Sequence, residues 1–394
     1  MSRPSSSLLR ALRVSAVNVF SFSLCVLCAS AVNASDFADR VISYSPAPGQ
    51  FINNPAYNDP SRALGPPLGG GTLSADNTKV VSLGGFAGSI ILGFDHTVLD
   101  DPRNPFGLDC IVFGNAFWVG GNANRRWAEG TVIEISRDAN GNGLVDDPWF
   151  IIPGSHLTIP PDNSHQSQAW DDNPSTPTPP ANPAWYPSAI FYPGFPSSYS
   201  TMGFLLPALF NTQVLQNPNG LAAMREGIWG YADCSPTLLL GDTNADNIVD
   251  HPSITAAEFF TNPDNPFAVG ITPNTGGGDA FDIRWAIDPA TSLPAHLDGF
   301  DFIRLSTGVN FIAGPVGEIS TEVSGVSDVR PRESFFDLTG DSIATVEDAY
   351  AYESFVASAS SAADLNGDAV IDSRDRELLL RCIRRSEPVD IATP

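Results

Sequence analysis

Oxygen-bearing side chains recur in this sequence at a spacing suited to a divalent cation. Calcium takes six to eight oxygen ligands, and a tight loop supplies them from positions 1, 3, 5, 7, 9 and 12. Residues 364–375 place Asp364, Asn366, Asp368, the Val370 carbonyl, Asp372 and Asp375 at those positions. Residues 337–348 repeat the plan with Asp337, Thr339, Asp341, the Ile343 carbonyl, Thr345 and Asp348. A helix is predicted after each loop: Leu379, Cys382 and Ile383 form an apolar stripe in one, and Tyr352, Phe355 and Val356 face a shared core from the other. Two such units can pack face to face with metals holding their ends. The blander alternative is a solvated acidic tail.

Two further loops carry the same signature. Asp138, Asn140, Asn142 and Asp146 follow a predicted strand, with glycine where the turn must tighten. Asp242, Asn244, Asp246 and Asp250 form the other, where Asn247 tolerates left-handed backbone. Neither has an acidic residue at position 12, so other donors or water must complete a shell. The alternative for both is an Asx-rich turn whose side chains bond their own backbone.

Signals for catalysis are sparse. The histidines, His96, His156, His165, His251 and His296, show no zinc spacing, and no nucleophile elbow or phosphate-cradling loop is present. Glu129, Glu134, Glu318 and Glu322 are the carboxylates to inspect for a glycosidase-like acid/base pair. Satisfied strand carboxylates or cation ligands are the blander explanation. No catalytic residue and no organic cofactor is assigned.

The elements that must position these groups are short. With 34 Gly and 34 Pro in 394 residues, the chain is punctuated too often for long helices, and 42% apolar residues suffice for a core. A mainly β body is predicted, with strands near residues 80–83, 89–92, 110–113, 131–135, 237–240, 281–283, 300–305 and 318–323. One short helix is predicted within 210–224. Residues 160–200, crowded with Pro, Ser, Asn and Asp, read as a surface insertion pinned by Trp170, Trp185 and Tyr186. After about residue 332 the texture becomes helical, giving a body over 35–332 and a small α-helical domain over 333–394.

Charge and targeting narrow the function. Forty-four Asp and Glu against 20 Lys and Arg give a net charge of −24, and Lys79 is the sole lysine. A nucleic-acid partner is thereby disfavoured. Residues 1–34 read as a secretory signal peptide: Arg3, Arg10 and Arg13 precede an apolar stretch that ends in small residues at Ala29-Ser30-Ala31 or Val32-Asn33-Ala34. A retained membrane anchor is the alternative; no later segment is long enough to span. Cys110, Cys234 and Cys382 remain beyond that stretch. Cys110 reads as a buried thiol, and a Cys110–Cys234 bridge is the competing option.

The repeated loops over residues 336–384 resemble a type I dockerin, a tandem pair of calcium-loop/helix units, and aspartate at position 12 fits that family. The resemblance implies calcium as cofactor and a cohesin-like partner contacted by positions 10 and 11, here Val346-Glu347 and Ser373-Arg374. The glycine favoured at position 6 is replaced by Ser342 and Ala369. If that position is left-handed, each replacement costs about 1–2 kcal/mol. Across residues 40–330, segments such as Ala63-Leu64-Gly65-Pro66-Pro67, Phe113-Gly114-Asn115-Ala116-Phe117 and Gly278-Asp279-Ala280-Phe281-Asp282 resemble a family of bacterial secreted or cell-surface proteins. That likeness implies a calcium-stabilised, jelly-roll-like β-sandwich, with Phe117, Trp118, Trp127, Trp149 or Trp170 as platforms for an extracellular glycan or as core packing.

The first expectation is therefore a secreted, non-catalytic binding protein anchored at the cell exterior by a dockerin-like module. The rivals are a secreted polysaccharide-degrading enzyme carried by a dockerin, which demands a cleft with converging carboxylates, and a purely structural envelope component.

Overall fold

A computed structural model describes residues 35–47, 49, 51–52, 54–157, 165–170, 199–212, 214–217, 227–311 and 319–386. The expectations placed on 1–34, on most of 160–200 and on Glu318 lie outside the described residues. Apolar alternation builds the largest sheet. Its strands are β1 (Arg40–Ser45), β3 (Ser89–Leu99), β7 (Thr131–Ser136), β8 (Trp149–Ile151) and β13 (Gly299–Thr307), antiparallel in the order β1-β3-β13-β7-β8. Register sets Ile90, Leu305 and Ile133 side by side, and Leu92, Ile303 and Ile135 beside them. All six are buried in one core, where such side chains each contribute about 1.5–3 kcal/mol.

A second layer faces this sheet. It contains β4 (Cys110–Phe113) between β12 (Asp279–Phe281) and β15 (Gly325–Asp328), and the short pair β2 (Val81–Ser82) and β14 (Glu322–Val323). Cys110, Val112, Phe281 and Val326 enter the same core as Ile90. Ile111 and Phe113 point the other way, onto Leu238, Phe259 and Phe260. Burial of both faces is why β4 reads as an unbroken apolar run.

A small sheet joins β5 (Phe117–Trp118), β6 (Arg125–Trp127) and β11 (Leu215–Gln216), and β9 (His165–Trp170) pairs with β10 (Tyr199–Phe204). The architecture is mainly β, with several antiparallel sheets and three α-helices among the described residues: α1 (Ala256–Phe259), α2 (Val346–Ala357) and α3 (Ser373–Ser386).

Local expectations need correction at 237–240 and at Val356. Of the range 210–224, where a short helix is predicted, residues 213 and 218–224 lie outside the described residues, and the described part holds the end of a 3-10 turn, Ala208–Phe210, and β11. Thr212 Oγ1 bonds both the N–H and the C=O of Val214, a local arrangement that competes with helix. Residues 237–240 make only an isolated bridge, Thr237 with Gly277, because the chain turns from Leu239 to Asp242 to enter the next loop. Val356 is exposed rather than part of the tail core.

That core is otherwise built as the stripe predicts, from Phe336, Tyr352, Leu365, Leu378, Leu379, Cys382 and Ile383. The tail also packs on the body. Arg381 Nη2 lies 2.7 Å from Asp100, Arg284 Nη2 lies 2.8 Å from Glu377, and Asn265 Nδ2 donates to the Gly367 carbonyl at 3.0 Å. The thiols of Cys110, Cys234 and Cys382 are free and buried. Among the described residues, no helix is long and apolar enough to cross a membrane.

Candidate metal centres

The four acidic loops share one backbone bend. Positions 4 and 6 have positive φ in each: Gly340 and Ser342, Gly367 and Ala369, Gly141 and Gly143, Ala245 and Asn247. At Ser342 and Ala369 the φ values are 78° and 62°, so the predicted strain of about 1–2 kcal/mol per residue is present in both tail loops. The bend turns backbone N–H groups inward onto the position-1 aspartate. Asp337 accepts from Gly340, Asp341 and Ser342; Asp364 from Ala369; Asp138 from Asn142 and Gly143; Asp242 from Asp246 and Asn247.

In the tail, position 12 closes each loop in the same way. Asp348 Oδ1 accepts from Leu338 N at 2.8 Å and Thr339 N at 3.0 Å, and its Oδ2 accepts from Thr345 N at 2.7 Å. Asp375 Oδ1 accepts from Leu365 N at 2.9 Å and Asn366 N at 3.1 Å, and its Oδ2 from Asp372 N at 2.8 Å. Both aspartates are fully buried. Desolvation holds Asp375 above the ordinary carboxylate range, against the pull of those three N–H groups.

Loop 337–348 brings Asp337, Asp341 and Asp348 together, with one oxygen of each within 4.8 Å of the others, a separation that one cation can span. In loop 364–375 the position-1 aspartate carries the decisive feature. Asp364 Oδ1 is buried and has no hydrogen-bond partner. A carboxylate oxygen left so is costly unless something positive meets it. Asp368 and Asp372 are engaged by Arg374, whose Nη2 lies 2.8 Å from Asp368 and 2.7 Å from Asp372. Asn366 Oδ1 accepts from Asp368 N at 3.0 Å. The remaining predicted donors, Thr339 and the carbonyl-bearing Ile343 and Val370, occupy these same two loops.

The body loops are more self-contained. Asn140 and Asn142 turn their amide nitrogens toward Asp146 at 3.1–3.4 Å, and their oxygens cap nearby backbone N–H groups. Asp301, at a bulge in β13, anchors this loop by accepting from Asp138 N at 2.8 Å. In the other, Asp242 is fully buried, Asn244 Oδ1 accepts from Asp246 N, and Asp250 binds Thr243. These are the self-bonded Asx turns of the alternative reading, arranged on the same bend as the tail loops.

Two carboxylate clusters involve residues the sequence did not single out. Glu129, Asp233 and Glu322 place oxygens within 4.8 Å of one another while only 4%, 1% and 3% exposed. Burial raises all three above the ordinary carboxylate range, and for Glu129 and Asp233 the charge of Glu322 adds to it. Asp233 Oδ1 accepts from Asn115 N and Ala116 N, and its Oδ2 from Glu322 N. A Cβ at Gly114 would fall 2.2 Å from Asp233 Oδ1, so the Gly114-Asn115 step is shaped to this carboxylate. Two of the inspected glutamates thus converge, sealed from solvent. The second cluster, Asp100, Asp109 and Asp282, lies where Arg381 meets the body.

Glu134, the remaining described candidate, is held by Arg304 through both oxygens, with Nε–Oε2 at 2.7 Å, and the guanidinium lies 4.4 Å over Trp149. These three side chains, with Ser89, Ser306 and Phe204, line a groove of about 530 Å³ on the outer face of the large sheet. Phe117 and Trp127 stack on each other at 6.0 Å and, like Trp118, are half-buried. The side chain of Trp170 lies outside the described residues.

Compared with known proteins, the chain matches no protein-family model and no curated protein.

Proposed function

We propose that this chain is an exported, non-catalytic binding protein whose jelly-roll-like sandwich and dockerin-like tail are stabilised by calcium. The observation that carries the reading is the buried, unpartnered Oδ1 of Asp364 inside a loop whose bend recurs four times. Hard oxygen donors, carboxylate and carbonyl, suit calcium rather than a softer metal. Asp337, Asp341 and Asp348 would hold one ion, and Asp364 with Asp375 and its neighbours another.

The tail then serves as an anchor for a cohesin-like protein. Repeat 1 is the favoured contact: Ile343, Val346 and Tyr350 are exposed at 52%, 50% and 75% along its loop and helix. Repeat 2 instead spends Arg374 within its own loop. The groove over Trp149 and Arg304 is the favoured place for an extracellular glycan, since it pairs an aromatic ring with planar polar groups and hydroxyls.

Melting the purified protein with calcium and with chelator tests this reading. Calcium at about 100 times its dissociation constant adds about 2.7 kcal/mol per site. For a unit of the tail's size that is a rise of roughly 10 °C or more. Superimposable circular dichroism and melting curves in the two conditions sink the proposal.

A further inference from the structure

We propose that Arg374 is a tethered counter-ion of loop 364–375, which must swing out for a cation to enter and so sets that loop's affinity. The inference rests on the calcium reading and concerns the regulation of one of its sites. Arg374 occupies position 11, and its guanidinium bridges positions 5 and 9. Nη2 is 2.8 Å from Asp368 Oδ2 and 2.7 Å from Asp372 Oδ2, while Nε lies 3.1 Å from that same Asp372 oxygen. The Asp368 side chain is 2% exposed and that of Arg374 47%, so a half-exposed guanidinium reaches in from the loop's rim to a buried carboxylate.

The companion loop shows what the device replaces. There, position 9 is Thr345 and position 11 is Glu347, whose carboxylate accepts from Thr345 Oγ1 at 2.8 Å. Its three aspartates bring one oxygen each within 4.8 Å of the others. Loop 364–375 has an added carboxylate at position 9 and, two residues on, the cation that neutralises it. A cation that draws on positions 5 and 9 needs oxygens that Arg374 already bonds, Oδ2 of Asp368 and both oxygens of Asp372. Metal and guanidinium therefore compete for the same oxygens.

The structure also provides somewhere for the displaced side chain to go. Arg374 lines a cavity of about 290 Å³ at the seam between tail and body, shared with Asp282, Glu377 and Trp285. The cavity gives the displaced side chain room beside Glu377, whose carboxylate also bonds Arg284 at 2.8 Å.

Calcium titration by calorimetry on the full chain tests this, with Asp364→Asn identifying the signal of this loop. Arg374→Ala is expected to tighten that signal about tenfold. Arg376→Ala removes the same charge two residues away, from an exposed pair with Glu353 at 3.0 Å, and is expected to change it less than twofold. Equal effects of the two variants overturn the proposal in favour of diffuse electrostatics, and so does an Arg374→Ala site that is unchanged or weaker. If the wild type binds calcium and only the Arg374 expectation fails, the calcium reading stands alone. If none of the proteins takes up calcium, both fall.

Discussion

Asp375→Ala is expected to destabilise the C-terminal loop–helix pair by about 4–5 kcal/mol without calcium present. The carboxylate is fully buried and accepts three backbone N–H groups, from Leu365, Asn366 and Asp372. Hydrogen bonds to a charged group contribute about 1.5–3 kcal/mol each, and removing the acceptor strands the donors. Asp341, by contrast, is exposed, and its Oδ1 accepts only from Ile343 N at 3.1 Å. Asp341→Ala is therefore expected to cost less than about 1 kcal/mol in chelator and to act only through metal. Denaturation followed by circular dichroism, with limited proteolysis to locate the unfolded segment, separates the two. Equal costs for the two variants contradict the geometry described for position 12.

In chelator, the body is expected to lose stability steadily as pH rises from about 5 to 8. Burial lifts Asp264 and Asp279 to about 6 and Asp282 to about 7, and it raises Glu129, Asp233 and Glu322 in the same direction. An unfolded carboxylate ionises near pH 4. Between that value and the folded one, the unfolded chain has released a proton that the native protein keeps, so the unfolded state gains about 1.4 kcal/mol per pH unit for each such group. Their stabilising effect is complete below about pH 4 and is lost as pH climbs through 6–7, and the triad, raised in the same direction, adds to the loss. His96 acts in the same sense. Its bonds to Asp328 and Asp95 raise it to about 9, so its contribution is complete below about 6.5 and fades as pH passes 9.

Glu129→Gln removes one ionisable member of the triad and is expected to flatten the profile. The wild type should melt roughly 10 °C lower at pH 8 than at pH 5.5, a drop that several kcal/mol produces in a domain of this size. A level wild-type profile, or one equally steep in Glu129→Gln, contradicts the account.

What the sequence made legible was local. The run Cys110-Ile111-Val112-Phe113 is the strand its apolar residues predict, because both of its faces are buried. The tail loops were visible because calcium-type spacing lies within twelve residues, and the helices after them because Leu379, Cys382 and Ile383 fall on one face. Strand β3 runs on past the predicted 89–92 to Leu99, because β13 pairs with it as far as Val98 and Leu99 while β1 stops at Gly93.

Partnerships across the chain were not legible. Asp233 meets Glu129 and Glu322 from more than 80 residues away on either side, and Arg381 reaches Asp100 across 281 positions. Neither pairing leaves a periodic trace. Arg374 was visible only as a position-11 residue expected to face a partner; that its fork closes on its own loop follows from rotamer and burial, which spacing does not encode.

The central claim, that these oxygen donors are arranged to grip calcium, is tested most directly by equilibrium dialysis of the purified protein against millimolar calcium with bound metal counted. The account predicts at least two ions per chain, falling to none at the tail when Asp337 and Asp364 are both replaced by Asn. A protein that emerges from dialysis without bound calcium contradicts it.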